Sequence, residues 1–183
     1  MITMTMDTAA WVRTVDQAGE KAPIACSRAI NRTLTNVRAA MIPVVAADMG
    51  LTQAIVRSRV DLRTASPSRL IGTIGAHARP IPLINFGARG PTPSRGTGTG
   101  VTARNTGGAG RYPHAFIATV RQGEPAQRYG VFERKGRARL PIRQLYGPSI
   151  WFVFGKRIAV GQARAEQMFP VNLAHEVAYA ASN

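Results

Sequence analysis

The sequence predicts an α+β fold: helices at both ends of the chain and a small, mostly antiparallel sheet or barrel between them. Three observations lead to it. Apolar residues recur at helical spacing near both ends, short β-prone runs fill the middle, and one long glycine-rich basic loop interrupts those runs. A length of 183 residues suits one domain. We therefore expect a single domain over residues 1–183, with a helical part at 1–59, a β-rich basic part at 60–155 and a helical part at 156–183.

The amino-terminal part carries one helical stripe. Its apolar residues follow one another at alternating spacings of four and three: Ile30, Leu34, Val37, Met41 and Val44 or Val45. Pro23 suits the first turn and separates this helix from an earlier one around residues 8–20. Pro43 removes a backbone hydrogen bond, so we expect a bend there and an end before Gly50. A short helix capped by Thr52 should follow.

Short β-prone runs, punctuated by glycine and proline, begin at Val60. They read VDLRT, RLIGTIGAH, PIPLINF, HAFIATVR and RYGVFERK, followed by ARLPIRQLYGPSIWFVFG. QGEPAQ separates the fourth run from the fifth and predicts a hairpin. If SIWFVFG is also a strand, Trp151 and Val153 lie on the face opposite Phe152 and Phe154.

The last segment returns to helical spacing. Four apolar residues share one face there: Phe169, Leu173, Val177 and Ala180. Pro170 suits the first helical position. His175 and Glu176 are interpreted as a solvated or packing pair, and Cys26 as a small buried residue.

The formal charge of +15 lies in the middle of the chain. Residues 51–112 carry nine basic side chains and one acidic, and residues 113–157 carry nine and two, whereas both ends are near neutral. Codon bias explains an excess of arginine over lysine, but not a shortage of acids. Such an excess of positive charge in one part of the chain indicates a polyanionic partner, most often nucleic acid.

Residues with catalytic or metal-binding chemistry are scarce. The three histidines are isolated, no Cys-x-x-Cys or paired carboxylates occur, and no apolar stretch is long enough to span a membrane. Gly98 opens a loose GxGxxA, which lacks the strand and helix that a dinucleotide site needs. We predict no catalytic residues, no metal, no cofactor and no membrane association.

The basic loop is predicted at residues 87–112, with eight glycines in residues 87–110. It is either a disordered insertion between two strands or an arm that becomes ordered against a partner or DNA phosphates. In the second case Arg89, Arg95, Arg104 and Arg111 face DNA or a neighbouring subunit. In either case, deleting residues 90–110 should leave the thermal transition nearly unchanged.

Three motifs carry a family resemblance. RPIPLINFGAR, AFIAT and LPIRQLYGPS occur in this order, with a glycine-rich stretch between the first two. They resemble the minor tail protein Z family of lambda-like tailed bacteriophages, as do SRAINRTLTNVRAAM and TASPSRL nearer the amino terminus. The resemblance covers roughly residues 25–183. It implies a structural tail-completion protein at the head-proximal end of the tail, associated with joining tail to head and placing the DNA end.

A subunit at a head–tail junction should form a closed homo-oligomeric ring, expected to be sixfold like the tail tube. Its expected partners are the tail tube and tail terminator, the head–tail connector, and phage DNA through non-specific phosphate contacts. Its expected location is the tail top or neck of the virion, after assembly in the host cytoplasm. Five residues are predicted to contact neighbouring subunits or proteins: Arg143, Tyr146, Gly147, Pro148 and Trp151.

Two rival functions belong to other classes. A free nucleic-acid-binding protein, of chromatin or ribosome type, would account for the charge and would bind duplexes as a monomer with a steep salt dependence. An enzyme such as a nuclease would depend on Asp61, Glu124 and Glu133, the only carboxylates between residues 51 and 157. General acid–base chemistry needs paired, tuned groups, so the enzyme is the weaker rival.

Overall fold

The computed structural model describes residues 19–92, 100–105, 108–121, 127–136, 138 and 140–182. The α+β prediction is confirmed, because an amino-terminal helix, small antiparallel sheets and a carboxy-terminal helix follow one another. The helices are α1 (Ala22–Met49), α2 (Gln53–Arg57), α3 (Ile150–Lys156) and α4 (Ile158–Ser182). Short 3₁₀ helices cover Gly19–Lys21 and Leu83–Phe86.

The strands form open antiparallel sheets, with no closed barrel among the described residues. They are β1 (Val60–Arg63), β2 (Thr73–Ala76), β3 (Ile81–Pro82), β4 (Val101–Asn105), β5 (Gly108–Tyr112), β6 (Ala115–Arg121), β7 (Gln127–Arg134), β8 (Ile142–Gln144) and β9 (Tyr146–Gly147). Strands β1 and β2 pair, as do β3 and β9, and β4 and β5. The remaining sheet has the order β6-β7-β8.

The chain divides into two compact units. Unit 1 comprises Met1–Val45, Val56–His77 and Trp151–Asn183, and unit 2 comprises Ala46–Ile55 and Ala78–Ile150. Each unit buries apolar residues of its own. The expectation that they form a single domain stays a prediction.

Unit 1 is built on the helices α1 and α4. Ala25 and Ala29 of α1 form one buried cluster with Phe169, Leu173 and Val177 of α4. This confirms the predicted apolar face of the last helix. Further along α1, the predicted stripe is also buried, at Leu34, Val37, Met41 and Val45.

Helix α1 has the ends that the sequence predicts and contains Pro43 in its interior, and the bend expected at Pro43 stays a prediction. Pro23 occupies its first turn, and Gly50 follows its last residue in a left-handed conformation (φ +64°). Pro43 is exposed, so solvent lies beside the turn that lacks its N–H. Of the earlier helix predicted around residues 8–20, residues 8–18 lie outside the described residues.

Unit 2 centres on the sheet β6-β7-β8 and the short pairing of β3 with β9. Ala115 pairs with Glu133 at one end of the β6–β7 ladder, which confirms the predicted pairing of these two runs. Leu83 donates its N–H to the Leu145 carbonyl at 3.0 Å, which ties the 3₁₀ helix to the segment between β8 and β9. Leu83 and Phe86 are almost fully buried.

Two local predictions were wrong for one reason, the spacing of the buried residues. Leu83 and Phe86, three apart, bury the same side of a 3₁₀ turn, so PIPLINF is a strand only at Ile81–Pro82. Ile150 and Phe154, four apart, are buried on α3, so SIWFVFG is helical and not an alternating strand.

Pro170 was also misplaced, because it lies inside α4 and not at its start. The buried stripe continues towards the amino terminus of α4 through Ala165 and Gly161. A Cβ at Gly161 would lie 2.7 Å from the Met41 sulphur, so this glycine permits close approach of the two helices in unit 1.

Part of the predicted loop over residues 87–112, at Val101–Asn105 and Gly108–Tyr112, is a β-hairpin. Strands β4 and β5 pair from Val101 with Tyr112 to Asn105 with Gly108. Val101 is 0 % exposed and Ala103 3 %, because VTARN alternates apolar and polar residues with the period of a strand. Deleting residues 90–110 would remove these buried side chains, so the structure indicates a destabilised unit 2, the opposite of our expectation.

Candidate nucleic-acid interface

The β4–β5 hairpin has two different faces. Val101 and Ala103 point into unit 2, whereas Thr102 and Arg104, which alternate with them on β4, are exposed. The pairing partners follow the same division: Thr102 pairs with Arg111, and Arg104 with Ala109. One face of the hairpin therefore packs inward, and the other presents arginines to solvent.

Arg89 joins this face from a separate segment. Arg89 and Thr102 each donate a backbone N–H to the other's carbonyl, both at 2.8 Å. Side chains that are directly opposite in an antiparallel pair lie on the same face. Arg89, Thr102 and Arg111 thus form a row across three segments, with Arg104 two residues along β4 on the same side. We name Arg89, Thr102, Arg104, Ala109 and Arg111 the arginine face.

The structure therefore brings together three of the four arginines predicted from the loop, and Arg95 lies outside the described residues. The side chains of Arg89, Arg104 and Arg111 are all exposed. The sequence contains no Asp or Glu between Asp61 and Glu124, so the hairpin itself supplies no carboxylate. Guanidinium groups donate paired hydrogen bonds to phosphate oxygens, which is the chemistry this face offers.

Arg143, predicted as a contact residue, has a partner within its own sheet. It pairs in register with Glu133 of β7. Its Nε and Nη2 donate to Glu133 Oε2 at 3.0 and 2.6 Å. Both ends of this ion pair belong to unit 2, so Arg143 fixes β8 on β7.

Three predicted contact residues lie together at β9. Tyr146 is 50 % exposed and donates its hydroxyl to Gln144 Oε1 at 3.0 Å. Gly147 is half-buried against the Phe86 ring, where a Cβ would lie 2.5 Å from Cε2. Pro148 is half-buried. Tyr146 thus offers surface to a neighbour, whereas Gly147 serves the packing of unit 2.

Trp151 lies in the first turn of α3, in unit 1, and is 41 % exposed. Phe152 beside it is more exposed, at 60 %, and the Lys156 ammonium lies 4.4 Å from its ring centroid. Phe152 was not among the predicted contact residues, because alternation as a strand placed it on the same face as Phe154, which is buried. In a helix, residues two positions apart lie on different sides, so helical spacing would have put Phe152 and Phe154 on different sides.

A set of polar contacts between α1 and α4, inside unit 1, was not predicted from the sequence, and we name it the seam. Arg32 Nη1 lies 3.0 Å from Glu176 Oε1, and Asn172 Nδ2 donates to Thr33 Oγ1 at 3.0 Å. Glu176 is buried, which fits a packing role, whereas His175 is exposed. The sequence pattern that could have indicated these contacts is the position of Glu176, a charged residue next to Val177 on the apolar face of α4.

Other classes of site find little support in the described residues. No group of three or more potential metal ligands occurs among them. Burial raises the pKa of the Cys26 thiol, which disfavours the reactive thiolate near neutral pH. None of the helices in this part of the chain has both the length and the hydropathy that crossing a membrane requires.

Comparison with known proteins yields one match. A family described as prophage minor tail protein Z matches residues 8–181 of the 183. The match includes segments of both units and confirms the resemblance carried by the three motifs. No curated protein matches, and no solved structure matches.

Proposed function

Because the chain belongs to the prophage minor tail protein Z family, and so has a structural role in a phage tail, we propose that it is the tail-completion subunit. In this proposal it sits at the head-proximal end of the tail, in the neck of the virion. There it joins tail to head and accommodates the end of the DNA.

The arginine face is the observation that supports contact with DNA. DNA that passes through a tail presents repeating phosphates, and three exposed arginines on one sheet face match a polyanion without reading its bases. A contact of this kind suits DNA that moves along the protein, because phosphates recur at every position. The face would line the lumen, or meet the next ring where the DNA enters it.

A closed ring is the arrangement that completes the end of a tube, and we propose six copies to match the tail tube. Large exposed side chains in each unit offer surfaces for packing: Tyr146 in unit 2, and Trp151 and Phe152 in unit 1. Aromatic residues are enriched in interface cores. The partners on either side would be the tail tube or tail terminator and the head–tail connector.

We propose no catalytic activity. The family is one of structural tail proteins, and the acidic residues in the basic part of the chain are already paired or few. Asp61 lies 2.8 Å from His77 Nε2 in unit 1, and Glu133 accepts the ion pair from Arg143 in unit 2. Among the described residues of the segment 78–150 of unit 2, Glu133 is the single carboxylate, so this segment offers no pair for acid–base chemistry.

The test uses a phage or prophage in which this gene carries an amber codon. Without the protein, tails should form but should fail to join heads, and microscopy should show density missing from the tail top. Mass photometry of the purified protein or of detached tail tops should find a ring-sized particle. A strictly monomeric protein that is absent from purified virions would contradict the proposal. Tight binding of short duplexes by that monomer would favour a free nucleic-acid-binding protein.

A further inference from the structure

A pocket opens on the arginine face, entirely within unit 2. Its volume is about 420 Å³, which falls in the range of small-molecule pockets, about 300–1,000 Å³. The residues that matter to its chemistry are Gly50, Gly87, Arg89, Thr102, Arg104 and Ala109. Arg111 shares the face but does not line the pocket.

The donors in the pocket suit an anion with several oxygen acceptors. Arg89 is opposite Thr102, and Arg104 is two residues from Thr102 on the same side, so the two arginines are diagonal neighbours. Diagonal neighbours on a sheet face lie roughly 7–8 Å apart, within reach of long side chains. In the structure the Thr102 hydroxyl donates a long hydrogen bond, of 3.4 Å, to the Arg89 carbonyl. Two guanidinium groups can donate to separate oxygens of one phosphate group, and the Thr102 hydroxyl can join them by rotating away from that carbonyl.

Two glycines, Gly50 and Gly87, also line the pocket. A Cβ at either would meet no atom within 4 Å, and neither position carries a side chain that fills the space. Gly50 follows the carboxyl end of α1, where free carbonyl groups would repel an anion. Two of the last four carbonyls, those of Ala46 and Ala47, accept the N–H groups of Leu51 and Gly50 at 3.0 and 3.3 Å, which reduces this repulsion.

We propose that this pocket binds one phosphate group of a nucleic-acid strand. Arg89 and Arg104 hold its oxygens, Thr102 donates a third hydrogen bond, and the remaining volume takes the attached sugar. The inference rests on the proposed function, which brings DNA to this face. It adds a discrete subsite with a fixed position, where diffuse charge alone would allow the strand to lie anywhere on the face.

The experiment titrates the full-length protein with inorganic phosphate in a calorimeter, at constant ionic strength with chloride as background. Arg104→Ala should weaken binding about tenfold or more, because a charge-assisted hydrogen bond is lost. Ala109→Leu should weaken it comparably, because it fills the pocket without changing charge. Arg79→Ala is the matched control, because it removes the same charge from an exposed arginine of unit 2 that lies outside the arginine face, and its affinity should stay within about twofold of wild type.

Equal losses in Arg104→Ala and Arg79→Ala would overturn the proposal, as would wild-type affinity in Ala109→Leu. Thermal melting of each variant identifies any variant that fails to fold. If Arg104→Ala fails to fold, Arg104→Lys replaces it; lysine keeps the charge but lacks the forked guanidinium donors, so the expected loss of phosphate affinity is smaller. A dinucleotide with a 5′-phosphate, the same dinucleotide without it, and acetate form the second set of ligands. Preference for the 5′-phosphate assigns a strand end, and equal binding of both dinucleotides assigns the backbone. Acetate binding as tightly as phosphate would overturn the assignment to nucleic acid.

The failure of this inference is distinguishable from failure of the proposed function. If wild-type protein shows no saturable phosphate binding, while amber tails still fail to join heads, the pocket is wrong and the tail-completion role stands. If phosphate binds as described but the protein is absent from virions, the pocket stands and the tail-completion role is wrong.

Discussion

The arginine face makes a quantitative prediction for DNA binding. Replacing Arg89, Arg104 and Arg111 by serine removes three positive charges from one exposed sheet face of unit 2. Arg89 and Arg104 are proposed to share one phosphate, and Arg111 contacts a second. Each phosphate contact contributes about 0.9 to the slope of log Kobs against log salt concentration, so the loss of two contacts should reduce the magnitude of the slope by about 1.8. Against a 1 M reference, that slope change corresponds to a loss of about 60-fold in affinity at 0.1 M salt.

The assay is fluorescence anisotropy with a short duplex of arbitrary sequence, over a series of salt concentrations. The matched control replaces three other exposed arginines, Arg63, Arg69 and Arg79, which lie outside the arginine face. Both triple variants have the same net charge. The arginine-face variant should lose most of the slope and the control little of it, whereas equal losses in the two variants would refute a localised DNA-contacting face.

Three further predictions concern stability, each measured by urea unfolding. Gly147→Ala brings a methyl carbon within 2.5 Å of a buried ring carbon and should cost about 1–3 kcal/mol, the usual effect of overpacking; an unchanged midpoint would show that the ring moves freely. Arg32→Met leaves the buried Glu176 carboxylate without its 3.0 Å partner, whose side chain is 53 % exposed, so it should cost about 1–2 kcal/mol. Glu176→Gln removes the buried charge itself and should cost less than about 1 kcal/mol; the reverse order would contradict the seam. Leu173→Ala, at a position 1 % exposed, should cost about 2–5 kcal/mol, whereas a loss below about 0.5 kcal/mol at Leu173 would mean that α4 does not pack as described.

Much of the fold follows from local pattern. The stripe on α1 is readable because its apolar residues from Leu34 to Val45 recur at helical spacing and are buried. The pairing of β6 with β7 is readable because two β-prone runs flank a short segment rich in turn-forming residues. The run SIWFVFG was misread because its apolar residues are continuous, so a helix with Ile150 and Phe154 inside and an alternating strand fit it equally well. The prediction that Pro170 begins the last helix was wrong because proline is more often found at the start of a helix than in its interior.

The arginine face illustrates what local pattern cannot supply. The sequence identifies Arg89, Arg104 and Arg111 as basic residues of one glycine-rich segment. That they share a face depends on the backbone pairing of Arg89 with Thr102, thirteen positions away, and on the register of β4 against β5. The glycine content concealed this hairpin, although VTARN has the alternation of a half-buried strand.

The seam between α1 and α4 could not be predicted for a related reason. Glu176 and Asn172 are polar residues on an apolar face, and their partners Arg32 and Thr33 lie far away in sequence. A buried polar residue is stable only with such a partner. The sequence can therefore show that Glu176 is unusual, but the identity of its partner depends on the packing of the two helices.

The most direct test of the central claim is site-specific photocrosslinking in intact virions. A photoreactive residue replaces Thr102, which is exposed and lies between Arg89 and Arg111 on the arginine face, or Val171, which is also exposed, at 60 %, in unit 1. Position 102 should form adducts with the packaged DNA after irradiation, and position 171 should not. Adducts from neither position, or equal adducts from both, would contradict an arginine face directed at DNA in the tail.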